Sequence, residues 1–94
     1  MTEINNIKSQ ILPILKESGI SHSFIFGSYA RKKQKKGSDL DLMVELEKNK
    51  TLLDLVVLKL RLEKKLGIKV DVLTLDSVHP DIKTAIMKEK IEII

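Results

Sequence analysis

Asp39-Leu40-Asp41-Leu42-Met43-Val44-Glu45-Leu46-Glu47 alternates in character along most of its length. Leu40, Leu42, Val44 and Leu46 fall on one side of an extended chain, and Asp39, Asp41 and Met43 fall on the other. Period two over this length predicts a strand with one buried face. Upstream, Ser23-Phe24-Ile25-Phe26 reads as a short strand stopped by Gly27-Ser28. Downstream, residues 68–75 form a further strand pattern, with Val70 and Val72 on one face and Asp71 and Leu73 on the other.

Helical spacing fills the intervals. Ile4, Ile7, Ile11 and Ile14 or Leu15 recur every three or four residues, and Pro13 within them predicts a kink or a division into two short helices. Residues 29–36 predict a short helix followed by an exposed turn at Gly37-Ser38. Residues 51–66 predict a helix whose apolar side holds Leu52, Leu55, Val56 and Leu60, with Leu62 and Leu66, and Gly67 sits just past its end. Pro80 suits the first turn of a last helix, packed through Ile82 and Ile86, with Leu75 or Ile91 nearby. The resulting order predicts an α/β two-layer sandwich, in which helices cover one face of a small mixed sheet, and a single domain over residues 1–94.

Composition narrows the chemistry. The 94 residues carry 17 basic and 13 acidic side chains, a formal charge of +4, which permits an anionic substrate without indicating nucleic acid. With no cysteine there is neither a disulfide framework nor a thiolate metal site. Met1 to Asn5 lack the runs of a signal peptide, and no apolar stretch reaches membrane-spanning length, so a cytoplasmic protein without a membrane partner is expected.

Asp39 and Asp41 stand two apart on the predicted strand, so both carboxylates leave one face. Facing carboxylates repel, and hard divalent ions such as Mg²⁺ offset that repulsion with oxygen ligands of this kind. Asp71 is a third acid placed on the same side of the sheet, and three such groups can hold two ions roughly 4 Å apart. Taken alone, Asp-x-Asp reads sooner as the solvated head of a surface strand. Gly27-Ser28 after a strand lets backbone approach a phosphate, or is simply a turn. The run Arg31, Lys32, Lys33, Lys35 and Lys36 is either a solvated turn or a positive rim, with Arg31 closest to a bound phosphate. RNA binding is disfavoured because no aromatics interleave with these cations. Phe24 and Phe26 read as core, Tyr29 as either structural or a contact residue, and His22 and His79 as surface or capping residues.

Phe26-Gly27-Ser28-Tyr29-Ala30-Arg31 followed by Ser38-Asp39-Leu40-Asp41-Leu42-Met43-Val44 resembles the signature of the nucleotidyltransferase superfamily typified by DNA polymerase beta. More narrowly, it is similar to the minimal nucleotidyltransferases of prokaryotes, the MntA-type antitoxins. Residues 29–38 supply the spacing between Gly-Ser and the first acid, and Leu66 to Leu73 resembles the strand bearing the third. The resemblance implies a nucleotidyltransferase fold, with Gly27, Ser28, Arg31 and Ser38 in the nucleotide site. Asp39, Asp41 and Asp71 would be both catalytic acids and ligands of two Mg²⁺ ions, with ATP as substrate. It further implies AMP transfer to a tyrosine of a HEPN-domain toxin partner, whose silencing makes the chain an antitoxin. A dimer mate stays open as the source of the missing acceptor surface. One departure is that Lys32 stands where the family usually has glycine, and a lysine there carries strain if φ is positive. Two other functions remain open: a non-catalytic subunit that neutralises its partner by contact, and nucleotidyl transfer to RNA or a small molecule.

Overall fold

The computed structural model describes residues 3–35 and 37–94. Helix α1 (Glu3–Glu17) leads into β1 (Ile20–Phe26), the short helix α2 (Gly27–Ala30) and β2 (Leu40–Leu46). Helix α3 (Leu52–Leu66), β3 (Val70–Thr74), a 3₁₀ turn (Leu75–Ser77), α4 (Pro80–Glu89) and β4 (Ile91–Glu92) complete it. The strands form one mixed sheet in the order β3-β2-β1-β4. β1 runs antiparallel to both β2 and β4, while β2 and β3 are parallel, joined by α3 as a crossover.

The alternation read from the sequence separates two apolar layers. On one face Ile25, Leu40, Leu42, Val44 and Val70 pack with Ile7, Ile11 and Leu15 of α1 and Leu58 and Leu62 of α3. This is the expected sandwich. The second face has a smaller core of its own: Phe24, Phe26 and Met43 meet Ile86 of α4. Phe24 and Met43 are cross-strand partners, which explains why Met43 is wholly buried on the face that also bears the acids. Helices α1 and α3 therefore cover one face, and α4 adds a partial cover to the other.

Several local expectations are corrected. Helix α1 is continuous through Pro13 rather than divided, because the proline lies exposed while Ile11 and Leu15 on either side of it are fully buried. The short helix starts at Gly27 and ends at Ala30, so Gly27-Ser28 are its first turn and the basic residues from Arg31 onward lie beyond it. Lys36 of that run lies outside the described residues. In α3, Leu52, Val56 and Leu60 are 79%, 51% and 59% exposed, whereas Leu55, Leu62 and Leu66 face the core as expected and Leu58 joins them there. Both rows have i, i+4 spacing, so periodicity could not choose between them. Ile82 is likewise exposed, while Ile86 one turn later is buried. Strand β4, whose Ile91 pairs with Ile25, is an addition that no pattern of residues announced.

The ends of α3 are fixed by local chemistry. At its N-terminus the Asp54 carboxylate accepts from the Thr51 backbone N–H at 2.7 Å and from the Thr51 hydroxyl at 3.2 Å. Gly67 closes the other end with φ of 72° and donates its N–H to the Glu63 carbonyl. The backbone hydrogen bond from Thr51, foremost, holds the Asp54 carboxyl below the usual range. A lowered folded pKa gives stability that is complete above the unfolded value and is lost as pH falls through the folded one. Asp54→Asn should therefore melt lower than the wild type at pH 7, and the gap should close only as pH drops below about 3.9. Thermal melts across that range check it, and a gap independent of pH would contradict the assignment.

Candidate active site

The parallel register sets the site. Leu40 pairs with Val70, Asp41 with Asp71 and Leu42 with Val72. Since Leu40, Leu42 and Val70 all point into the main core, Asp41 and Asp71 emerge side by side on the opposite face. Asp39 immediately precedes β2, two residues back along the same face, and is exposed. On its other side Asp41 is paired with Phe26, the last residue of β1. The chain then turns into α2 at Gly27, whose φ is 74°. A Cβ built on Gly27 would collide with the Asp41 carboxylate. Glycine is thus demanded twice at this position, by backbone conformation and by contact with Asp41.

Asp41 is half-buried, and its carboxyl is pushed above the ordinary aspartate range. Burial is the first cause, followed by the charges of Asp71 and Asp39; the Arg31 guanidinium works in the opposite direction. Arg31 follows α2 and donates from Nη1 to Glu89 Oε1 of α4 at 2.9 Å. Glu89 carries no signal in the sequence: it lies 58 residues away between lysines, in a helix whose pattern speaks only of packing.

Other expected site residues have different surroundings. The Ser28 carbonyl accepts from Lys33 N–H at 2.8 Å, which ties the basic segment back to α2. Ser38 closes that segment from the other side: its hydroxyl accepts from Lys35 N–H at 2.8 Å and its own N–H donates to the Lys35 carbonyl. Ser38 thus closes the loop that leads into Asp39. An open cavity of about 800 Å³ lies behind this loop, lined by Tyr29, Lys35, Ser38 and Lys69 among others, and by none of the three acids. Tyr29 is buried in the main core. His79 caps α4 by accepting from the Asp81 N–H, and His22 lies near Glu45 and Glu92.

A family model for the nucleotidyltransferase domain matches residues 8–93. The chain belongs to that nucleotidyltransferase family. It is 50% identical over 91 residues to a Methanocaldococcus jannaschii protein named "Putative protein adenylyltransferase", spanning 97% of this chain and 98% of that one. A solved structure described as a "putative minimal nucleotidyltransferase" is 34% identical, with a TM-score of 0.84 over 94% of this chain and 90% of the other. At the level of fold alone, the chain is similar to one chain of a structure described as a tri-AMPylated Shewanella oneidensis HEPN toxin in complex with MNT antitoxin. That match has a TM-score of 0.74 at 17% identity, over 96% of this chain and 71% of the other. Among the described residues no helix is long and apolar enough to cross a membrane.

In this nucleotidyltransferase the donor chemistry fits a hard divalent cation. Asp41 is a half-buried carboxylate with two like charges acting on it and one guanidinium opposing them. Its oxygens are the ligands Mg²⁺ prefers. Among the described residues no group of three or more His, Cys, Asp or Glu side chains is gathered closely enough to hold a metal ion by itself.

Two substitutions follow from this geometry. Because the folded pKa of Asp41 is raised, the wild type carries an unfavourable charge at neutral pH that disappears as the carboxyl protonates. In metal-free buffer Asp41→Asn should melt above the wild type at pH 7 and lose that advantage on acidification, whereas a lower melting point at pH 7 would refute it. Lys32 has a φ of 58°, the sole non-glycine in that region among the described residues. Replacing a lysine there with glycine relieves the clash of Cβ with its carbonyl but frees the unfolded chain. Lys32→Gly should therefore be stabilising by up to about 1 kcal/mol in denaturant titration, and destabilisation would show that the turn is not strained.

Proposed function

We propose that this chain is a protein adenylyltransferase of the antitoxin type, transferring AMP from ATP to a tyrosyl hydroxyl of a HEPN-domain partner with the help of two Mg²⁺ ions. The observation that carries the reading is the alignment of Asp41 with Asp71 across β2 and β3, directly against Gly27. Names borne by relatives and the toxin–antitoxin complex of like fold support it.

The acceptor oxygen attacks the α-phosphorus of ATP in line with the bridge to the β-phosphate. The new P–O bond joins AMP to the tyrosine, the bond to the bridging oxygen breaks, and pyrophosphate leaves with that electron pair. The hydroxyl proton passes toward Asp71, the exposed carboxylate on the outer strand of the trio. Asp39, Asp41 and Asp71 would hold the two Mg²⁺ ions, and Gly27 and Ser28 let the backbone of α2 approach the triphosphate. Arg31, fixed by Glu89, supplies a positive charge on the same side. Bound divalent ions contribute the neutralisation of phosphate charge and a lower hydroxyl pKa. Most of the remaining acceleration comes from alignment of the hydroxyl with the α-phosphorus.

Asp39→Asn and Asp41→Asn should each reduce AMP transfer by roughly 1,000-fold, since losing a ligand removes several kcal/mol of charge stabilisation. The fold should survive, because neither side chain belongs to either apolar core. Intact-mass measurement of the partner after incubation with ATP and Mg²⁺ reads the result. A partner that binds the wild type and never gains AMP would leave only a contact antitoxin, and transfer at full rate by either variant would remove these acids from the mechanism.

A further inference from the structure

Helix α3 carries two apolar faces, and the fold uses one. Leu58 and Leu62 are buried, with Leu55 and Leu66 packed beside them. On another side Leu52, Leu53, Val56, Val57 and Leu60 are exposed by 79%, 70%, 51%, 49% and 59%. Their spacing is i, i+1, i+4, i+5 and i+8, so they form one continuous stripe rather than scattered surface residues. Continuous apolar surface of this kind marks an interaction site.

The charges around the stripe specify what covers it. Both acids of α3 are engaged within the chain: Asp54 caps the helix, and Glu63 Oε2 accepts from the Val70 N–H at 3.0 Å. Arg61 is paired with Glu17 at 2.7 Å. Lys59, Lys64 and Lys65 remain along the helix, and Lys48 and Lys50 precede it. Two copies of this chain packed stripe to stripe would set lysines against lysines, a repulsive arrangement wherever the contact excludes water. An acidic border on the other side is complementary.

We infer that the exposed face of α3 is the docking surface for the protein partner, received as an amphipathic helix whose apolar stripe is bordered by aspartate or glutamate. The inference rests on the proposed function for the existence of a protein acceptor, and adds where that acceptor is held. The stripe lies on the core-covering side of the sheet, opposite the three acids. Docking and chemistry are thus separable, and substitutions on the stripe leave the catalytic side chains untouched. An anionic membrane shares part of this chemistry, but the stripe is wholly aliphatic and lacks the aromatic anchors of interfacial helices.

The test compares wild type with Val56→Asp/Leu60→Asp and with Lys64→Glu/Lys65→Glu, using purified HEPN-domain partner and isothermal titration at two salt concentrations. Both substitution pairs lie on exposed positions, and circular dichroism confirms the fold of each variant. The aspartate pair should weaken association about 30-fold or more, as expected for hot-spot positions. The glutamate pair should weaken it less and reduce its salt dependence, while the affinity of each free variant for ATP stays at the wild-type value. Partner affinity unchanged by the aspartate pair, with wild-type binding and AMP transfer intact, would overturn the docking face and leave the proposed function standing. A wild-type dimer in sedimentation that either variant disrupts would assign the face to self-association and overturn it too. So would wild-type adhesion to phosphatidylserine vesicles that the aspartate pair abolishes. Failure of the wild type both to bind and to label the partner would remove the proposed function, and this inference with it.

Discussion

The Asp41 carboxylate sits between Asp71 on one neighbouring strand and Gly27 at the end of the other, and the geometry of the chain's functional end derives from that position. β2 lies inside the sheet, so its residues have neighbours on both sides. Parallel pairing with β3 brings the two acids into register, and antiparallel pairing with β1 delivers the turn into α2 to the same spot. A one-residue slip of β2 would send Asp41 into the α1–α3 core and Leu42 onto the acidic face. The same buried leucines that stabilise the sheet therefore fix the direction of the carboxylates. Packing and chemistry are enforced by one alternation.

This arrangement has an energetic consequence. Folding removes Asp41 partly from water and sets it within the influence of two like charges, with Arg31 the opposing charge. That guanidinium is shared with Glu89, so its compensation is divided. Partly burying a carboxylate among like charges costs stability, and groups perturbed in this way cluster at functional sites. The positive φ of Lys32 beside it adds a second local cost at the same end of the molecule. Against these stand the two apolar layers, the larger between sheet and helices α1 and α3, the smaller under α4.

Much of this was legible from residues alone, for reasons that differ by element. The strand around Asp41 was readable because period two over Leu40, Leu42 and Val44 has no helical counterpart. Gly67 and Pro80 marked helix ends because their backbone preferences are intrinsic and do not depend on the fold. What failed required knowledge of tertiary neighbours. The inner row of α3 was read only in part, through Leu55, Leu62 and Leu66, because Val56 and Leu60 repeat at the same interval as Leu58 and Leu62, and only the position of α1 and β3 selects between them. Met43 was placed on the acidic side without a reason to be buried there, since α4 and its Ile86 arrive from much later in the chain. The Arg31–Glu89 pair was invisible for the same reason.

The two apolar faces of α3 turn that failure into information. A helix whose sole task is to cover a sheet gains nothing from leucines on its outer side, and exposed aliphatic side chains raise the risk of nonspecific association. In a chain this charged, with lysines flanking the stripe, the outer row is better understood as surface awaiting a complementary one. The ambiguity that defeats periodicity is then a property of the sequence itself: α3 is written for two contacts, one made within the chain and one outside it. A helix with one buried row and one presented row also links the two, because whatever docks on the outer row bears on an element whose C-terminal turn leads directly into the strand of Asp71.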